Sequence, residues 1–165
     1  MTGVSAPAPR LLQLKIIVGA LAAGVVAFAV IAIFLAGGEG LAQADTDPGF
    51  THMLLMVLTL FGLGLVVAYP LIRRSLVGKL RSAWRGGAGA PTEDQHLIEH
   101  FQTLTIIGAA MAEGFALFAG VIYLVTAHPA ALAGIVIGLL ALSRFFPTEA
   151  SFAKFADGIG GTTRP

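Results

Sequence analysis

Four apolar runs dominate the chain. Ile16–Ala36 and Met53–Ile72 contain no charged residue, Gln102–Ala127 contains only Glu113, and Ala130–Phe146 contains only Arg144, near its end. At about 1.5 Å of rise per residue, roughly 20 residues of helix cross the hydrocarbon layer of a bilayer. The first three runs meet that length, and the fourth needs flanking residues to do so. The runs show no two-residue alternation, so the pattern predicts helices rather than strands. The polar stretches between them carry boundary signals. Gly37, Gly38 and Gly40 end the first run, and Pro70 with Arg73 and Arg74 closes the second. The glycine-rich linker 86–91 separates the second run from the third. Thr92 then reads as an N-cap, with Glu93 and Asp94 in the first turn and Gln95 completing a capping box. His128-Pro129 is a tight turn, and Pro147 stops the fourth run.

The predicted helices are 16–36, 53–74, 93–127 and 130–146, in a single membrane domain covering 1–165. Residues up to about Leu11 are expected to be irregular, and Ser75–Arg85 extends the second helix beyond the bilayer. Residues 148–159 place Phe152, Phe155, Ala156 and Ile159 on one helical face, which predicts a short C-terminal interfacial helix in the headgroup region. A competing reading takes Arg10, Lys15, the first apolar run and Ala42-Gln43-Ala44 as a cleaved signal peptide. That run is longer than the roughly 7–15 residues of a typical signal core, so it is assigned to the fold.

Composition agrees with membrane insertion: 56% of residues are hydrophobic and 12% charged, with a mean hydropathy of +0.86. The formal net charge of +1 points to no nucleic-acid partner. The chain has no cysteine, so disulfides, thiolate metal sites and cysteine nucleophiles are excluded. No phosphate-cradling loop, dinucleotide fingerprint or nucleophile-elbow serine is present, and no cofactor or small-molecule substrate is indicated.

The basic residues set the expected orientation. Arg10 and Lys15 precede the first span; Arg73, Arg74, Lys79, Arg81 and Arg85 follow the second; Arg144, Lys154 and Arg164 lie at or after the end of the fourth. All ten Lys and Arg thus fall on one side. By the positive-inside rule both termini are cytoplasmic, in a bacterial inner membrane. The cluster Arg73, Arg74, Lys79, Arg81 and Arg85 is also a candidate for anionic lipid headgroups.

An offset of 90 positions aligns Ile16, Ile17, Ala20, Ala22, Gly24, Phe28 and Ala29 with Ile106, Ile107, Ala110, Ala112, Gly114, Phe118 and Ala119. The second and fourth spans also both end in aromatic-Pro, at Tyr69-Pro70 and Phe146-Pro147. The expected fold is therefore an all-α membrane protein of four transmembrane helices, an internal repeat of two parallel hairpins. Small residues recur at four-residue spacing: Ala20 and Gly24; Ala112, Ala116 and Gly120; Ala130, Gly134 and Gly138. Such stripes let helices approach closely in lipid, inside one bundle or between subunits.

Two features bear on chemistry. Glu113 stands near the middle of the third span, and a carboxylate there costs on the order of 3 kcal/mol on insertion scales. It is expected to point inward, either as an ion-binding site or as a protonated donor to a neighbouring helix or to a hydroxyl such as Thr59. His96, Glu99 and His100 match H-x-x-E-H, whose two histidines share one helix face and could hold a metal. No third ligand is evident, and the preferred reading is polar residues on a juxtamembrane helix. His52 and His128 belong to the opposite end.

The segment Ala112-Glu113-Gly114-Phe115-Ala116-Leu117-Phe118-Ala119 resembles the ion-binding helix of rotary ATPase rotor-ring subunits, over about fifteen residues. That resemblance implies proton or cation translocation by Glu113. The first helix here lacks that family's dense glycine repeat, the cytoplasmic loop is long and basic, and the termini are on the opposite side. Over its whole length the chain looks more like uncharacterised four-span bacterial membrane proteins, with Ile16-Ile17-Val18-Gly19-Ala20 as an I-I-x-G-A start and Ala110–Gly114 as A-x-x-E-G. The expected function is a non-enzymatic packing or assembly subunit. Its partners are membrane lipids and either copies of itself, as a homo-oligomer, or the subunits of a larger membrane complex. The alternative is an ion-translocating subunit using Glu113.

Overall fold

The computed structural model describes residues 8–37, 47–85 and 93–160. Within these it is all-helical, without strands: α1 (Ala8–Gly37), α2 (Pro48–Arg85), α3 (Glu93–Thr126), α4 (Pro129–Arg144) and α5 (Glu149–Gly160). The 86–91 linker, the Thr92 cap and Ala42-Gln43-Ala44 lie outside the described residues. Segments 9–36, 48–78 and 97–126 are each long and apolar enough to cross a membrane, and α4 with α5 passes the same test as a pair bent by 69°. This architecture fits a membrane-embedded, multi-pass protein.

Two helix boundaries differ from the sequence expectation. α1 begins at Ala8 instead of Ile16. Pro9 occupies its first turn, where a missing N–H costs nothing, so this proline is compatible with a helix start. α2 begins at Pro48 instead of Met53 and runs through Pro70 to Arg85. Pro70 removes one backbone hydrogen bond, a loss that spanning helices tolerate through local adjustment.

α3 is the hub. It packs along α4, along α1 and, more lightly, against α2. The two-residue connection to α4 is built from local chemistry. Ala127 takes a left-handed φ of 49°, and its N–H donates to Tyr123 O at 2.7 Å. His128 caps α4: its Nδ1 accepts from Ala130 N at 3.2 Å, with Pro129 in the first turn.

The α3–α4 contact is backbone-close. A Cβ added to Gly138 would lie 2.5 Å from Ala116 Cβ and 2.9 Å from its Cα; one on Gly134 would lie 2.8 Å from Ala119 Cβ. The central cluster comprises Val25 of α1, Leu58 of α2, Ala116, Ala119 and Ile122 of α3, and Ala131 and Ile135 of α4. Phe61 ties α2 to α3, stacking on Phe115 at 6.4 Å and meeting Phe118 edge-on at 5.7 Å.

The described part of the α5 apolar face, Phe152, Phe155 and Ala156, packs against protein, and the Ile159 side chain lies outside the described residues. Phe152 is buried with Leu11, Leu14, Ile98 and Phe101, and Phe155 packs beside them. Amphipathic spacing gives a helix its buried face but not the identity of what covers it. Here the cover is the starts of α1 and α3, far away in sequence.

Candidate functional site

Glu113 lies half-buried on the α3 flank that faces α1. Its Oε1 is 4.0 Å from where a Cβ on Gly24 would stand. Gly24 therefore leaves room beside the carboxyl, and an alanine there would make an ordinary contact. Thr59, the hydroxyl suggested as a partner, donates instead to Leu55 O of its own helix at 2.8 Å. Among the described residues no ion pair reaches Glu113.

The small residues divide into two groups. Ala112, Ala116 and Gly120 of α3 and Gly134 and Gly138 of α4 are buried. They are used inside the bundle: Gly138 against Ala116, Gly134 against Ala119, and Gly120 against the Phe28 ring. Ala20 and Gly24 are exposed, as are Ala23 and Ala27 on the same face of α1. α2 is similarly uncovered: 6% of its most apolar window is buried, against 44% for α3.

Among the described residues, Glu99 and His100 of the H-x-x-E-H motif belong to no cluster of metal-ligating side chains. Glu99 is 4.0 Å from Arg10 across the α1–α3 contact. His100 is half-buried, and the His96 side chain lies outside the described residues. Among the described residues no three His, Asp or Glu side chains gather at metal-binding distance. At the far end His52 Nδ1 is 2.6 Å from Pro48 O and His128 serves as the α4 cap, so each has a local structural role.

Of the basic cluster, Arg73 and Arg74 are exposed in the second half of α2, while the side chains of Lys79, Arg81 and Arg85 lie outside the described residues. Arg73 shares a cavity with Arg144 and Lys154, residues of two other segments. Sequence reading had assigned Arg144 and Lys154 to orientation alone. Their convergence depends on the α4–α5 bend, which periodicity does not encode. Tyr69 and Thr105 line the same cavity and carry no sequence signal that separates them from ordinary span residues.

No protein-family model matches the chain, and no curated protein and no solved structure matches it either.

Proposed function

We propose that this is a non-enzymatic membrane protein that assembles with further copies of itself through the outer face of α1. One observation carries the reading. Ala20, Ala23, Gly24 and Ala27 form a small-residue face that the bundle leaves exposed, whereas Gly134 and Gly138 of α4 are consumed in close contacts with Ala119 and Ala116 of α3. In lipid, helices associate where small side chains allow dispersion contacts between backbones. The sparsely covered α2 supports the same view, since a neighbouring subunit would supply packing the single chain lacks. In this reading the basic end of the bundle is cytoplasmic, both termini lie there, and the repeat is carried by α1 and α3; α3 and α4 pack along their length, whereas α1 and α2 scarcely touch. α1 and α3, the helices that the 90-residue offset aligns, lie side by side.

Native mass measurement of the full chain in nanodiscs tests the assembly. We expect a discrete oligomer for the wild type. Ala20→Leu, which fills the small-residue face at an exposed position, should shift it to monomer by at least tenfold in dissociation constant. A wild-type monomer at every accessible concentration would contradict the reading.

A second reading, proton or cation translocation, is favoured by one feature: the Glu113 carboxyl sits in an apolar belt beside the exposed Gly24. The two readings separate on Glu113→Gln. If the carboxyl is a neutral hydrogen-bond donor, the amide replaces it; the oligomer persists and proton conductance in vesicles is unchanged. Loss of a wild-type conductance in Glu113→Gln would establish the ion reading instead.

A further inference from the structure

Two adjoining cavities at the basic end have complementary chemistry. The first, about 510 Å³, lies between α2, α3 and α4 and is walled by apolar groups, including Leu65, Met111, Phe115 and Ile137; Tyr69 and Arg144 also line it. The second, about 260 Å³, shares Tyr69, Arg144 and Phe145 with the first and adds Arg73 and Lys154. Thr105, a polar side chain buried to more than nine-tenths, also lines this second cavity, and among the described residues no acidic one does. Three cations from α2, α4 and α5 thus converge at the mouth of an apolar slot.

We infer that this is a binding site for one anionic glycerophospholipid. Its phosphate lies among Arg73, Arg144 and Lys154, and one acyl chain lies in the slot. The charge argument is direct: three cations with no carboxylate among the described residues of the same wall repel one another until an anion neutralises them, and a zwitterionic headgroup does so less well. Tyr69 offers the headgroup a phenolic hydroxyl. It also holds the cavity wall, since its ring meets Phe145 edge-on at 5.0 Å. The size argument concerns the slot. With a methylene comparable to a water at about 30 Å³, it accepts on the order of 15–20 methylenes, one acyl chain. α5 is held in place by Phe152, so Lys154 is presented by a docked helix rather than by a free tail. A third cavity, of about 490 Å³, shares Arg73 and Lys154 and adds Arg74, giving room for the headgroup beyond the phosphate. The inference stands apart from assembly, since every residue in it belongs to one chain.

The test uses full-length protein, delipidated in detergent and titrated with dioleoyl phosphatidylglycerol or dioleoyl phosphatidylcholine, with bound lipid counted by native mass spectrometry. We expect one phosphatidylglycerol to bind at least tenfold more tightly than phosphatidylcholine. Neutralising cations should weaken it about fivefold each, so Arg144→Gln with Lys154→Gln loses about 25-fold, while Arg144→Lys keeps most of the binding. Ile137→Trp, at an exposed position lining the slot, should weaken it at unchanged charge. The assembly-deficient Ala20→Leu should bind as the wild type does. Equal binding of the two lipids, full displacement by millimolar inorganic phosphate, or no effect of Ile137→Trp would each overturn the inference. The first would leave no charge selection, the second a free-anion site, and the third a headgroup contact without a chain. Should the double neutralisation fail to fold, the lipid preference of the wild type and the Ile137→Trp result decide alone.

Discussion

Gly138→Leu is expected to separate α4 from α3 and to cost about 3 kcal/mol, the upper part of the range for overpacking a well-filled interior. The size follows from what surrounds the position. Even a single Cβ there would stand 2.5 Å from Ala116 Cβ, 2.9 Å from its Cα and 3.1 Å from its backbone nitrogen. A flexible side chain can rotate away from an intruding methyl, but a helix backbone cannot. The two helices would have to move apart, opening Gly134 against Ala119 as well. Gly114→Ala is the matched control. Nothing lies within 4 Å of its added Cβ, and alanine favours a helix over glycine by about 1 kcal/mol. Denaturant titration of the protein in detergent should therefore show Gly138→Leu far less stable than wild type and Gly114→Ala equal to it or above. Similar losses for both would mean that glycine content, not close approach, sets stability here.

Phe152→Ala is expected to release α5 while leaving the spanning helices folded. Phe152 is 1% exposed, and its ring meets Phe101 edge-on at 5.4 Å. Truncating a buried phenylalanine costs about 3–5 kcal/mol. α5 is a terminal 12-residue helix, joined to the bundle chiefly by this cluster, so the loss falls on its docking equilibrium rather than on global unfolding. Amide exchange across 149–160 should accelerate by roughly a hundred- to a few-thousand-fold, the ratio equivalent to that energy. Exchange in 104–122 of α3 should be unaffected. The Arg10–Glu99 pair next to this cluster bridges exposed side chains at 4.0 Å, and exposed pairs contribute about 0–1 kcal/mol. Glu99→Gln should therefore leave α5 docked.

The spans were legible because charge-free runs of bilayer length have few other uses. What the sequence left open is contact. Four-residue spacing marks a small-residue face on α1, α3 and α4 alike, yet only packing shows that Gly138 meets Ala116 while Ala20 is left exposed. Pro70 marks the close of the second apolar run because the residue type is a good local signal, yet it lies inside a spanning helix that continues past it. The spacing of Phe152 and Phe155 revealed an apolar face, but its cover comes from Leu11 and Leu14 at the other end of the chain. Glu113 stood out through its cost in hydrocarbon, and its neighbour Gly24 could not be named from spacing. Arg73, Arg144 and Lys154 reach one cavity from three helices, a relation with no signature in linear order.

These contacts divide the molecule into a tight interior, where α3 serves as common partner, and an outer α1 surface whose small residues remain uncommitted. If that surface is where copies meet, single cysteines placed on it should find one another. The chain has no native cysteine, so each introduced thiol reports alone. In native membranes under mild oxidation, Ala23→Cys on exposed α1 should give a disulfide-linked dimer, whereas Val136→Cys, equally exposed on α4, should stay monomeric. Equal cross-linking at both positions, as random collision would give, or none at Ala20, Ala23 or Ala27, would contradict assembly through α1.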